Sequence, residues 1–487
     1  MDARLTRRRL LQAGAAGAAG ATLLPALGCS SGDPSLADEG PLNVVFVILD
    51  TLRPDHVGAY GSPVLTPHID AVAGRGLRFT RAFPEALVTV PARRSIFSCR
   101  RIFPYRDWEP NTEIGTSPGW LPIDDPQRTF TTALRNAGYW NAQISDNPFT
   151  GFMKAFEPFR DTFNEWKTIV GQSGFRQPPE SVSMETVHHW LPPFLRNERY
   201  VPGMRKYLAN TGEGRDEEET CAARVFKGAA DMLDDARRRQ PFALTIDCFD
   251  PHEPWSPPKK YLDMYGDPGY EGPEVGVTDY GFAQNFTPEL RRRLRAVYAA
   301  EVTLTDHWFG RFMERFRELE LDENTIVVLM SDHGYLLGER GFMGKVPSQL
   351  HPELAQVPFI VAHPDGSGAG RTHPYFASTH DVGPTILSML GVDRPDWMGG
   401  ADLSPALSGD DPAEQRDFHY GGMYNRFFIR TDDWVLIGDN QGNERTLCNL
   451  REDPQEFHNV VKDNPAVSKE LYETVLDVAG GQLPYYE

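Results

Sequence analysis

A chain of 487 residues is long enough to bury a large core, and one catalytic α/β domain with a smaller appendage is its natural division. Its 40% hydrophobic and 11% aromatic content is that of a globular protein, and a formal net charge of −19 excludes the basic stripe expected of a nucleic-acid binder. An anionic ligand must therefore be drawn in by local cations rather than by the protein as a whole.

The first residues read as an export signal. Arg4 and Thr6-Arg7-Arg8-Arg9 form a charged region, and Leu10-Leu11 with the Ala/Gly stretch to Leu24 an apolar one. That stretch is too short and too rich in Gly and Ala for a membrane span. Arg7-Arg8-Arg9-Leu10-Leu11 after Thr6 resembles a twin-arginine signal, which would hand a folded protein to the export machinery and place it in the periplasm or outside the cell. Leu27-Gly28-Cys29-Ser30-Ser31 offers a lipidation site that would make a lipoprotein anchored through Cys29. Residues 30–40 look like a flexible tether. The expected division is thus signal and tether over 1–40, a catalytic domain over 41–410 and a C-terminal α+β subdomain over 411–487.

Uninterrupted β-branched runs follow, and such runs read as strands buried on both faces of a parallel sheet. The first, 43–49, ends at Asp50, and a later one, 325–331, ends at Asp332-His333. Others are expected at 139–144, 242–246 and 358–362, interleaved with helices such as 224–239 and 291–317. Residues 148–220, dense in aromatics, prolines and charges, are expected to build the rim of a site and set its substrate choice. Further on, 426–430 and 434–437 flank Thr431-Asp432-Asp433 as a β-hairpin.

Asp50, Thr89, Asp332 and His333 each follow an apolar run and each is a hard-metal ligand type, so together they can hold one divalent cation. In an open α/β sheet ligands bind beyond the carboxyl ends of the strands, where Asp50 and Asp332 both stand. The His333 imidazole favours Mn²⁺ or Zn²⁺ over Ca²⁺, which takes oxygen ligands. The plainer alternatives are a capping hydroxyl for Thr89 and turn residues for the aspartates. Pro91 stands near the first turn of a helix that would begin at Thr89, putting that hydroxyl beside the positive end of a helix dipole. Thr51, a neutral hydroxyl and weak ligand, reads as structural.

These residues lie in a series of motifs: Asp50-Thr51-Leu52-Arg53-Pro54-Asp55 with Gly58-Ala59-Tyr60-Gly61, Thr66-Pro67-His68-Ile69-Asp70, Gly76-Leu77-Arg78-Phe79 and Thr89-Val90-Pro91-Ala92-Arg93. Pro251-His252-Glu253-Pro254, Ser331-Asp332-His333-Gly334, Lys345 and Asp381-Val382-Gly383-Pro384-Thr385 continue it. In this order the chain resembles the sulfatase family of the alkaline phosphatase superfamily from about residue 40 onward. The resemblance implies an α/β fold, a doubly wound and mostly parallel sheet flanked by helices, with a small C-terminal antiparallel sheet. It also implies catalytic roles: Arg93 and Lys345 on the anion's oxygens, with His252 on the substrate and its leaving group. Its metal type is left open, with Ca²⁺ the alternative to Mn²⁺ or Zn²⁺.

The chain departs from that pattern at Thr89, where the family's sulfate-ester hydrolases carry the Cys or Ser that becomes formylglycine. Threonine cannot expel sulfate by collapse to an aldehyde, but an activated hydroxyl can take up a phosphoryl group that water then removes. Asp50, Thr89, Asp332 and His333 instead resemble the single-metal site of lipoteichoic-acid-synthase-like and phosphoethanolamine-transferase-like enzymes. The family's Lys-x-His is also missing, and Ser145-Asp146-Asn147-Pro148 stands in its place, where Asn147 is a candidate hydrogen-bond donor or a turn residue.

The expected function is metal-dependent hydrolysis of a sulfate or phosphate ester on a small molecule, glycan or lipid headgroup. The alternative is a catalytically silent relative that binds an anionic glycan or headgroup. Cysteines other than Cys29 show no metal-binding spacing and read as small buried residues, although one disulfide would be compatible with export. Oligomeric state is not legible in the sequence.

Overall fold

The computed structural model describes residues 40–110, 113–115, 117–212 and 216–487. The expected signal, tether and Cys29 lie outside the described residues. Residues 41–487 form one compact unit.

The core is an eight-stranded sheet. From edge to edge its strands are Thr372–Ser378, Leu77–Phe83, Phe359–Ala362, Thr325–Met330, Asn43–Leu49, Phe242–Cys248, Trp140–Ser145 and Glu165–Thr168. Asn43–Leu49 is central and lies parallel to Thr325–Met330 on one side and Phe242–Cys248 on the other. Its apolar run is continuous because helices cover both faces. Val45, Val47 and Leu49 point into one core cluster, Val44, Phe46 and Ile48 into the other. Each buried side chain of this kind contributes about 1.5–3 kcal/mol relative to exposure. The expectation of parallel strands fails at Phe359–Ala362, which runs antiparallel to both its neighbours. A run of four apolar residues carries no signal of direction.

On one face lie the helices Cys221–Arg238 and Pro288–Glu318. The first buries Val225, Phe226, Ala229, Met232, Leu233 and Ala236, the three-and-four spacing of an amphipathic helix. The second starts at Thr287, whose side chain accepts a hydrogen bond from the Leu290 amide, with Pro288 at its first position. The predicted hairpin is present as Arg426–Thr431 and Trp434–Asp439, inside a five-stranded sheet with Phe418–Met423, Arg445–Asn449 and Ala86–Leu87. Ala86–Leu87 pairs parallel with Phe418–Met423, so the chain just before Thr89 is held in the C-terminal sheet. Cys99, Cys221, Cys248 and Cys448 are buried and unpaired, the plainer of the two expectations for them. Among the described residues no helix is long and apolar enough to cross a membrane.

Candidate active site

Because the strands bearing Asp50, Asp332 and Asp247 are parallel, their carboxyl ends emerge on one edge of the sheet. Asp50, Asp332 and His333 are fully buried there, and one ligand atom from each lies within 4.8 Å of the others. The Thr51 amide donates to Asp332 Oδ1 at 3.1 Å and ties the two strand exits together. To do so Thr51 takes φ +60°, a left-handed conformation that a β-branched residue adopts at a cost of order 1–3 kcal/mol. Gly334 follows His333 because the chain passes against Glu353, whose carbonyl oxygen would lie 2.2 Å from any Cβ there.

His333 is held in one tautomer: Nδ1 donates to the Gly334 carbonyl at 2.9 Å, leaving the Nε2 lone pair facing the aspartates. Burial lowers its pKa to about 4, against the pull of Asp332, so the ring is neutral. Thr89 Oγ1 lies 3.3 Å from His333 Nε2 and donates to it. Thr89 is the first residue of the helix Thr89–Ser98, but the N-cap is Val88 and no side chain caps this end. The capping alternative for Thr89 is therefore set aside: its hydroxyl turns into the cluster.

Arg93, one helical turn after Thr89, is fully buried among three carboxylates. It donates to Asp332 Oδ2 and, at 2.7 Å, to Asp247 Oδ1, and its Nη1 lies 2.9 Å from Asp50 Oδ2. Burial alone would lower its pKa, and Asp247, Asp332 and Asp50 outweigh that and raise it. Asp332 is held below the ordinary carboxylate range, because Arg93 and His333 outweigh its burial. Asp50 is pushed well above that range by burial and by Asp332. The ion-pair distance from Asp50 to Arg93 is short, yet neither Asp50 oxygen accepts a hydrogen bond of good geometry.

A buried carboxylate with both oxygens unsatisfied is costly unless a cation completes it. Two carboxylates, a neutral imidazole lone pair and a hydroxyl suit a borderline divalent ion such as Mn²⁺ or Zn²⁺. The residues present fit the metal that the sequence implies.

The remaining two expected residues sit beside this cluster. The Lys345 ammonium donates to His252 Nε2 at 2.7 Å and to the Tyr280 hydroxyl at 2.8 Å, with Glu253 Oε1 at 3.4 Å. Its charge is felt at Asp50 and His333. The His252 ring stacks on Phe249 with centroids 4.1 Å apart. Burial and then Lys345 hold its pKa well below the ordinary value, so it is neutral and accepts from Lys345. Asn147 behaves as a turn residue: its Oδ1 accepts from the amides of Phe149 and Thr150, while its Nδ2 is buried without a partner.

All seven expected residues thus converge, and three more join them unforeseen. Asp247 receives Arg93 and faces the hydroxyls of Ser145 and Thr150 at 3.3 and 3.4 Å. Its signal was present as a carboxylate inside an otherwise apolar run that leads to the site edge. Tyr280 and Glu253 bind Lys345 and each other, contacts between segments that no local pattern connects.

The fold is shared with solved structures. A phosphonate monoester hydrolase of Agrobacterium radiobacter superposes with TM-score 0.68 at 21% identity, covering 90% of this chain and 95% of that one. A protein solved with its substrate D-glucosamine-2-N,6-O-disulfate superposes with TM-score 0.67 at 19% identity, covering 91% and 98%. This is the alkaline-phosphatase-like α/β architecture.

In sequence, the sulfatase family model matches residues 42–392, and a model described as N-sulphoglucosamine sulphohydrolase, C-terminal, matches residues 338–480. The ulvan-active sulfatase of Formosa agariphila is 27% identical over 435 residues, which span 86% of this chain and 77% of that protein. The chain belongs to the sulfatase family of the alkaline phosphatase superfamily, and it is an ester hydrolase of that family.

Proposed function

We propose that the protein hydrolyses an anionic ester with Thr89 as nucleophile and one divalent ion, Mn²⁺ or Zn²⁺, held by Asp50, Thr89, Asp332 and His333. The observation that carries this reading is the Thr89 hydroxyl turned away from its helix and set 3.3 Å from His333 Nε2, beside the buried Asp50 carboxylate, neither oxygen of which accepts a hydrogen bond. The ion would supply Lewis acidity, lowering the pKa of the hydroxyl and offsetting negative charge on the transferred group.

The chain's own residues do the rest. The helix Thr89–Ser98 presents its N-terminal end to the anion. Arg93, fixed by Asp247, and Lys345, fixed by Glu253 and Tyr280, supply the cations that a chain of net charge −19 must place locally. Thr89 Oγ1 attacks phosphorus or sulfur, the bond to the leaving oxygen breaks, and a phosphorylated or sulfated Thr89 is left for water to cleave. Lys345 and His252 share a hydrogen-bonded proton, and that pair is placed to protonate the departing alcohol.

A threonine ester has no second hydroxyl on the ester carbon and cannot expel sulfate by collapse to an aldehyde, so the chemistry favours phosphate esters or diesters, while family membership favours sulfate esters. That a structural neighbour was solved with a sulfated glucosamine supports a glycan ester. The test is hydrolysis of nitrophenyl sulfate, phosphate, phosphodiester and phosphonate esters, together with elemental analysis of protein purified without added metal. The expected result is turnover of a phosphorus ester and one Mn or Zn per chain. Calcium alone would refute the His333 role, and no turnover of any ester would favour the silent relative. We further propose that residues 1–40 direct export by the twin-arginine route, on the strength of Arg7-Arg8-Arg9-Leu10-Leu11.

A further inference from the structure

Lys345 follows a small antiparallel ribbon made of Gly281–Phe282, Phe342–Gly344 and Leu336–Leu337. Phe342 stands opposite Phe282 and Met343 opposite Gly281, and the next residue back, Tyr280, lies against Gly344, two residues on from Phe342. The other side is committed to the core, where Met343 and Leu337 are fully buried. On the open side Phe282 is 71% exposed and its ring lies 4.9 Å from that of Phe342, tilted by 30°. Tyr280 is 42% exposed, yet its hydroxyl is engaged by Lys345 and Glu253. Its ring rests on the Gly344 backbone, where a Cβ would fall 2.3 Å from Tyr280 Cδ1.

An aromatic surface therefore begins at Tyr280, on the ammonium proposed above to contact the reacting anion, and continues two residues on at Phe282. Tyr280 and Phe282, open to water beside the half-buried Phe342, are apolar area that a bound ligand can cover. The border is polar: Asp279, adjacent to Tyr280, accepts from the Tyr200 hydroxyl and lies 3.6 Å from the largely exposed Arg199, its own side chain half-exposed.

We propose that Tyr280, Phe282 and Phe342 form a stacking platform for a pyranose ring in the ester's leaving group, one ring out from the reacting anion. A pyranose has apolar C–H faces and hydroxyl edges, which match an aromatic floor with a charged rim. A plain aryl group would leave the rim unused. This rests on the proposed hydrolase reading, since it takes Lys345 to mark the anion's position.

The test compares Phe282→Ala, Phe342→Ala and Phe282→Tyr with the parent on three esters of the same acid: methyl glucopyranoside 6-ester, ethyl ester and 4-nitrophenyl ester. Binding of methyl glucopyranoside 6-phosphate and 6-sulfate is measured alongside by calorimetry, which reads the platform even where nothing is turned over. Both alanine variants should lower the glucoside-to-ethyl ratio of kcat/KM by about tenfold or more, through KM, and weaken glucoside binding by a similar factor. Phe282→Tyr should restore both. Equal losses on the glucoside and ethyl esters, unchanged glucoside binding, or a loss confined to the nitrophenyl ester would each overturn the platform. Failure of the hydrolase reading would appear separately, as absence of turnover by the parent with glucoside binding still sensitive to Phe282.

Discussion

Replacing Thr89 by alanine separates its two conceivable jobs, because the structure assigns stability and activity to different neighbours. The side chain caps nothing, and its hydroxyl makes one hydrogen bond, 3.3 Å to His333 Nε2. Losing a bond of that kind costs about 0.5–1.5 kcal/mol. Alanine's better helix propensity returns about 0.5 kcal/mol, so the net change in stability should stay within about 1 kcal/mol. Activity should behave otherwise. Without an attacking oxygen the rate should fall at least about a thousandfold, which at 1.36 kcal/mol per decade is about 4 kcal/mol of transition-state stabilisation. Thr89→Ser keeps the hydroxyl and should keep measurable turnover. The assay is kcat/KM on the best ester of the panel, paired with a urea unfolding midpoint for each variant. An alanine variant as stable as the parent that retains most of its rate would refute the nucleophile and leave water as the attacking group.

Two further outcomes follow from the structure and one from the sequence. Glu456 is buried, accepting from Arg430 at 2.6 Å and His351 at 2.8 Å. Burial alone would raise its pKa, but Arg430 and His351 outweigh it and hold the carboxyl at about 2, below its ordinary 4.5. A depressed acid contributes stability that is present above the ordinary value and lost as pH falls toward the folded one. Glu456→Gln should therefore cost about 3 kcal/mol at pH 7, with the gap from the parent closing between pH 4.5 and 2; a gap independent of pH in urea titrations would refute this. His252→Ala should slow alkyl esters at least about tenfold more than 4-nitrophenyl esters, whose leaving group needs no proton, and equal slowing would remove the Lys345–His252 pair from leaving-group protonation. Changing Arg7, Arg8 and Arg9 together to lysine should leave folded protein in the cytoplasm on fractionation; undiminished export would point to the general secretory route.

The central strands were legible because they are buried on both faces, which strips polar residues from 43–49 and 325–330. Three strands of the eight-stranded sheet were not foreseen. Leu77–Phe83 carries Arg78, Thr80 and Arg81, Thr372–Ser378 begins with Thr372, His373 and Pro374, and the edge strand Glu165–Thr168 alternates charge with apolar residues. Each sits toward an edge where one face or one end meets water, and the apolar signal weakens accordingly. The metal-ligand candidates were readable because a ligand type at a strand exit is a local pattern. Asp247 was not, since the predicted run 242–246 stopped short of it while the strand continues through it to Cys248. The Lys345, Glu253 and Tyr280 network joins residues up to 92 positions apart, and only folding brings them together.

The most direct test of the account is to quench the enzyme in acid during turnover and map the peptide that carries Thr89 by mass spectrometry. The account predicts a phosphoryl or sulfuryl group on the Thr89 side chain, formed in the burst phase and absent from Thr89→Ala. Unmodified Thr89 at every quench time, in enzyme shown to be turning over, would contradict it.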